Sequence, residues 1–84
     1  MDKEAIEKKV KELIAEQFGT TPDKLSNSSG LVSDLGADSL DGVELVMCLE
    51  DEFHIKIEDR DAQDFLTIQN VVDYIFVCKG NKNE

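Results

Sequence analysis

Ser39 stands in the run Asp34-Leu35-Gly36-Ala37-Asp38-Ser39-Leu40-Asp41, where small residues lead into an apolar-periodic segment. This places a hydroxyl at the start of a helix, where unpaired N–H groups and the helix dipole favour an anion. A phosphodiester on Ser39 would use that environment, while Asp38 and Asp41 would oppose it by like-charge repulsion that solvent weakens. The plainer role for such a serine is an N-cap. Position argues against a hydrolytic nucleophile. A base is needed within about 3 Å, whereas the single histidine, His54, lies roughly 22 Å further along a continuous helix. No Gly-x-Ser-x-Gly elbow and no strand precede the serine. Chemistry at Ser39 must therefore be done by another protein, and no catalytic residue is expected.

The remaining reactive groups carry less. Cys48 and Cys78 read as reduced thiols rather than a disulfide framework, Cys48 on an exposed side and Cys78 at the core edge. With one histidine they do not make a zinc site. The run Asp59-Arg60-Asp61-Ala62-Gln63-Asp64 lacks the glycine of a calcium loop at its sixth position and the glutamate at its twelfth, so no metal site is expected. His54 is expected to end its helix, where positive charge is favourable.

Nineteen acids against nine bases give a net charge of −10. That excludes nucleic acid, which needs clustered cations, disfavours anionic membranes, and favours partners with basic surfaces. No stretch approaches the 18 or so apolar residues of a membrane span. Met1-Asp2-Lys3-Glu4 is acidic and shows no secretory h-region, so a cytoplasmic, monomeric protein is expected. A leader removed earlier would place it in an organelle. The 84 residues suit one domain, near the lower limit for a self-sufficient core.

Four helices must position the serine. Ile6, Val10, Leu13, Ile14 and Phe18 predict a first helix over 3–18, capped by Asp2 and stopped by Gly19. Turn formers dominate from Gly19 to Asp38, with Leu25, Leu31, Val32 and Leu35 expected to pin this long loop to the core. A second helix is expected over 39–53, capped by Asp38 or Ser39, and a short third over 58–65. A last one over 68–78 is capped by Thr67, buries Ile68, Val71, Val72 and Ile75, and ends at Gly80 and the polar tail 81–84. The predicted class is all-α, a four-helix bundle with a long loop between its first two helices.

The second helix has two apolar faces. Leu45, Val46, Leu49 and Phe53 fall between about 140° and 240° on a wheel started at Leu40, a normal core stripe. Leu40, Val43 and Met47 fall between about 300° and 360°, edged by Asp41, Glu44, Glu50, Asp51 and Glu52. An apolar strip rimmed with carboxylates predicts a docking surface for basic partners. The alternative is that the long loop folds over it.

The block Asp34–Asp41 followed by Val43-Glu44-Leu45-Val46-Met47 resembles the signature of acyl carrier proteins of type II fatty acid synthesis. Leu49-Glu50-Asp51-Glu52-Phe53, Ala62 and Asp73-Tyr74-Ile75 extend the resemblance over roughly residues 4–77. It implies one acyl-carrier domain spanning 1–84 and a 4′-phosphopantetheine attached at Ser39 by a separate pantetheinyl transferase. It also implies acyl chains held as thioesters and docking to fatty acid synthesis enzymes with basic patches. The family's recognition helix maps onto Asp38, Asp41, Val43, Glu44, Met47 and Glu50, with Leu40 and Asp51 on the same face. A sheltering acyl cleft is expected near Val46, Leu49, Leu66, Ile68 and Ile75. Gly42, Glu58 and Arg60 depart from the family pattern and bear on partner choice. A polyketide or aminoacyl carrier, and an unmodified binding module in a larger assembly, remain alternatives.

Overall fold

Local chemistry at each helix end explains where the chain turns. In the computed structural model, which describes residues 2–80, α1 (Lys3–Phe18), α2 (Ser39–Phe53), α3 (Asp59–Ala62) and α4 (Ile68–Gly80) form an all-α bundle. A single 3₁₀ turn, Pro22–Lys24, interrupts the long connection between α1 and α2. The Asp2 carboxylate accepts from the Ala5 N–H at 2.9 Å and caps α1. Gly19 closes that helix in the left-handed conformation at φ 71°, its N–H donating to the Ala15 carbonyl. His54 does the same for α2 at φ 56°, donating to the Glu50 carbonyl, a place glycine usually takes. Thr67 Oγ1 accepts from the Asn70 N–H at 3.2 Å, and Asn70 Oδ1 accepts from the Thr67 N–H at 2.9 Å, so the two residues cap α4 reciprocally.

Burial follows the apolar spacing. Ile6, Val10 and Ile14 of α1 pack against Ile68, Val71, Val72 and Ile75 of α4, and all are fully buried. Leu45, Leu49 and Phe53 bring α2 onto the same core. Lys3 ties the start of α1 to the middle of α4, 2.9 Å from the Asp73 carboxylate and 5.4 Å from the Phe76 ring centroid. The Lys3 hydrogen bond, aided by one from Gln69, holds the Asp73 carboxyl below the usual range. Both ends of that pair are about half exposed, so it contributes well under 1 kcal/mol.

Three expectations need correction. Val32 is 67% exposed rather than pinned. Residues Gly30–Gly36 wind as a tight turn, with the Asp34 N–H bonded to the Gly30 carbonyl and the Gly36 N–H to the Val32 carbonyl, and only Leu31 of the adjacent pair is buried. The third helix stops at Ala62 instead of continuing to Phe65. Beyond it the bonds shorten to a three-residue spacing, Asp64 to Asp61 and Phe65 to Ala62, and the Leu66 N–H is drawn to Asn70 Oδ1. The last helix runs to Gly80 rather than ending near Cys78; the tail 81–84 lies outside the described residues.

The loop is held chiefly by polar bonds. Asn27 Nδ2 donates to Glu7 Oε2 at 3.1 Å and to Gln69 Oε1 at 2.8 Å, bridging α1 and α4. The N–H groups of Gln69, Ile68 and Leu31 bond to carbonyls of Asn27, Ser29 and Leu66. Short α3 is fastened from outside by Tyr74 of α4, whose hydroxyl donates to Asp61 Oδ2 at 3.1 Å. The Phe65 ring meets Tyr74 edge to face at 5.5 Å.

Burial, then the Asp61 bond, push the Tyr74 phenol up to about 12. A raised folded-state pKa means that this clasp contributes fully below the free phenol value near 10 and is lost as pH rises through about 12. Ultraviolet titration of this single tyrosine should place its ionisation near 12, and Asp61→Ala should bring it down; a midpoint at the free-phenol value would show that the clasp does not form. Gly42 lies inside α2 with nothing within 4 Å of the position a Cβ would take. Gly42→Ala should therefore stabilise the fold by about 1 kcal/mol and raise Tm by about 4–8 °C, whereas Gly36→Ala, at φ 72°, should lower it.

Candidate functional site

Helix α2 begins in a reciprocal cap. The Asp38 carboxylate accepts from the Asp41 N–H at 2.9 Å, and the Asp41 carboxylate accepts from the Asp38 N–H at 3.1 Å. Capping thus falls to Asp38, and Ser39 is the first helical residue, exposed, with its hydroxyl outside the cap. Gln17 of α1 donates from Nε2 to the Asp41 carbonyl at 2.8 Å and holds this first turn against α1. Gly36 supplies the left-handed turn that brings the loop into Ala37 and Asp38. Upstream, Asp34 Oδ2 accepts from the Gly30 N–H at 2.6 Å, and a side chain at Gly30 would collide with Ser33.

Beside Ser39 a cavity of about 760 Å³ opens between α2, α3 and the loop. Ser39 and Gly42 border it, and Val46, Ile57, Ala62 and Phe65 give it apolar walls, while Asp59, Gln63 and Lys56 add polar edges. Short α3 is one wall, so the Tyr74–Asp61 clasp also sets the shape of this space. Of the residues expected around an acyl cleft, Val46 lines the cavity. Leu49, Ile68 and Ile75 are fully buried in the core and do not border it, and Leu66 is 67% exposed outside it. The walls contributed by Phe18, Ile57 and Phe65 come from three separate segments, so no local spacing announces them.

The second apolar arc of α2 is not covered by the loop. Leu40, Val43 and Met47 are 64%, 55% and 61% exposed. Of the acids around it, Glu44, Asp51 and Asp38 are exposed, while Asp41 and Glu50 are half-buried and already bonded. Glu50 Oε2 accepts from the Ile57 N–H at 2.9 Å, which folds the segment after α2 back along it. Glu52 lies 3.5 Å from Lys9 of α1 and so faces that helix rather than the open strip. Cys48 is exposed and Cys78 half-buried, with no bond between them. Glu58, at φ −75°, takes a backbone value that proline also adopts.

Chemically, the arrangement presents a reachable primary hydroxyl beside a half-open cavity. His54 sits at the opposite end of α2, so no base within α2 activates the serine. An exposed hydroxyl at the border of a cavity this size has room for a long, flexible, phosphate-linked substituent, and the N–H groups of the first turn suit its charge. The residues present therefore fit such a group.

No described helix is long and apolar enough to cross a membrane. Residues 8–75 match the family described as the phosphopantetheine attachment site, a span that takes in most of α1, all of α2 and α3, and α4 as far as Ile75. The chain belongs to that family, which makes it a non-catalytic carrier whose covalent group is 4′-phosphopantetheine.

Proposed function

We propose that this carrier serves type II fatty acid synthesis, with Ser39 as the attachment residue and acyl chains held as thioesters on the arm. When bound, 4′-phosphopantetheine supplies a terminal thiol on a long tether. The observation that carries the reading is the division of labour at the start of α2: Asp38 does the capping, which leaves the Ser39 hydroxyl exposed at the cavity border. Asp38, Leu40, Asp41, Val43, Glu44, Met47, Glu50 and Asp51 form the partner face. Within it, Leu40, Val43 and Met47 supply desolvated contact, and Glu44 and Asp51 steer basic surfaces toward it. Asp41 and Glu50 hold the backbone of that face in place as well as contributing charge. The cavity shelters the proximal part of the cargo against Val46 and its neighbours.

The acidic α2 and the Asp34–Asp41 block favour the fatty acid branch over polyketide and aminoacyl carriers. Incubation with coenzyme A, Mg²⁺ and a promiscuous pantetheinyl transferase should add one phosphopantetheine mass to the wild-type chain and none to Ser39→Ala. Mass added to the alanine variant would place the arm elsewhere. The holo protein should then accept a malonyl group from a malonyl donor and refuse aminoacyl donors; the reverse preference would move it to a different pathway. Partner-dependent loading should weaken as salt rises from about 0.05 to 0.5 M, because exposed charges steer it.

A further inference from the structure

The cavity beside Ser39 is bordered by charges of both signs. Four are carboxylates, and three of those are committed to backbone N–H groups: Asp38 and Asp41 cap α2, and Glu50 accepts from Ile57. One is a base, Lys56. The Glu50 bond fixes where that base stands. It folds residues 55–57 back along α2, so the Lys56 backbone lies beside Glu50, eleven residues past Ser39 and about 16 Å along the helix axis. Ile57, next in the chain, is buried and makes an apolar wall at this end. Lys56 itself is exposed and takes part in none of the ion pairs among the described residues, which use Lys3 and Lys9. Gln63 adds an exposed amide to the same border.

The cavity thus combines apolar walls with a cation at the end remote from the serine, in a chain of net charge −10. A saturated acyl chain uses the walls alone and leaves the ammonium in water, with the lysine stem lying along apolar surface. The phosphodiester of the arm stays at Ser39, at the other end. An acyl group with a second carboxylate at its far end uses both features. The walls take its methylenes, and the ammonium offsets the repulsion from the acids of the border. We propose that the cavity accepts acyl groups that end in a carboxylate, the half-thioesters of dicarboxylic acids, and that Lys56 is the residue that admits them. The proposal rests on Ser39 as the attachment residue and on the cavity as the shelter of its cargo.

The test loads the full chain from hexanoyl- or adipyl-coenzyme A with a promiscuous pantetheinyl transferase. The two acyl groups have equal carbon counts and differ in the terminal carboxylate. Cleavage of each thioester by hydroxylamine reads how well the cavity shelters it. Lys56→Met keeps most of the stem and removes the charge. It should speed cleavage of the adipyl thioester about two- to fivefold and change the hexanoyl rate less than about 1.5-fold, and Lys56→Arg should restore the adipyl rate. In about 0.5 M salt the wild-type adipyl rate should approach that of Lys56→Met. An equal change for both thioesters, or no change for either, would overturn the proposal. Failure of the underlying reading looks different. Hexanoyl cleaved no more slowly on the protein than as the free coenzyme A thioester removes the shelter, and acyl mass on Ser39→Ala removes the attachment residue. A sheltered hexanoyl group beside an adipyl rate that ignores Lys56 removes only the carboxylate seat.

Discussion

The rotational setting of α2 is the constraint on which the site depends. This helix has apolar residues on two sides, and a small bundle can bury only one of them. Leu45, Leu49 and Phe53 enter the core with Ile6, Val10, Ile14 and the buried face of α4. Each fully buried side chain of this size contributes roughly 1.5–3 kcal/mol of transfer free energy, so rotating α2 to bury Leu40, Val43 and Met47 instead would forfeit several kcal/mol. The exposure of that strip follows from the core packing. So does the position of Ser39 at the outer end of the same helix.

The loop before α2 then has to deliver the chain to a fixed point, and it does so with few apolar anchors. Leu25 and Leu31 are buried, but the rest of the attachment is hydrogen bonding, centred on Asn27 and on backbone groups next to α4. Such bonds contribute about 1 kcal/mol each and cost more when one partner is removed. Two acceptors stay buried without donors, Asn27 Oδ1 where the loop bridges α1 and α4 and Gln17 Oε1 where α1 meets the start of α2. In a domain of this size each such group is a noticeable cost against a marginal stability.

The acids of α2 do more than supply charge. Asp38 and Asp41 terminate the helix, Glu50 secures the following segment, and Glu52 faces Lys9. Glu44 and Asp51 remain as exposed charges beside the apolar strip. A carboxylate engaged with backbone N–H groups is held in one orientation, so the rim of that strip is preorganised. Short α3, held by Tyr74 and Phe65, closes the cavity on the other side with far less buried area than the long helices have. Its fastening is local and polar, so it is the cavity wall most open to adjustment.

Helix positions were legible in the sequence because their causes are local. Apolar spacing at 3.6 residues, Asp2 and Asp38 before helical segments, and Gly19 after one are each decided within a few residues. The isolation of Ser39 from His54 was equally legible, since helix length alone separates them. Contacts between distant segments were not. Whether Val32 or Leu31 turns inward depends on how the Gly30–Gly36 turn meets Leu66 of the neighbouring segment. The lining of the cavity by Phe18, Ile57 and Phe65, rather than by Leu49, Ile68 and Ile75, depends on which apolar residues the three long helices had already consumed in the core. The sequence by itself determined the helices, the reachable serine and the two-faced α2, because short-range geometry and charge suffice for those. Tertiary structure decided which face stayed exposed, which acids became structural and where the cavity opened, because these follow from competition for a limited core.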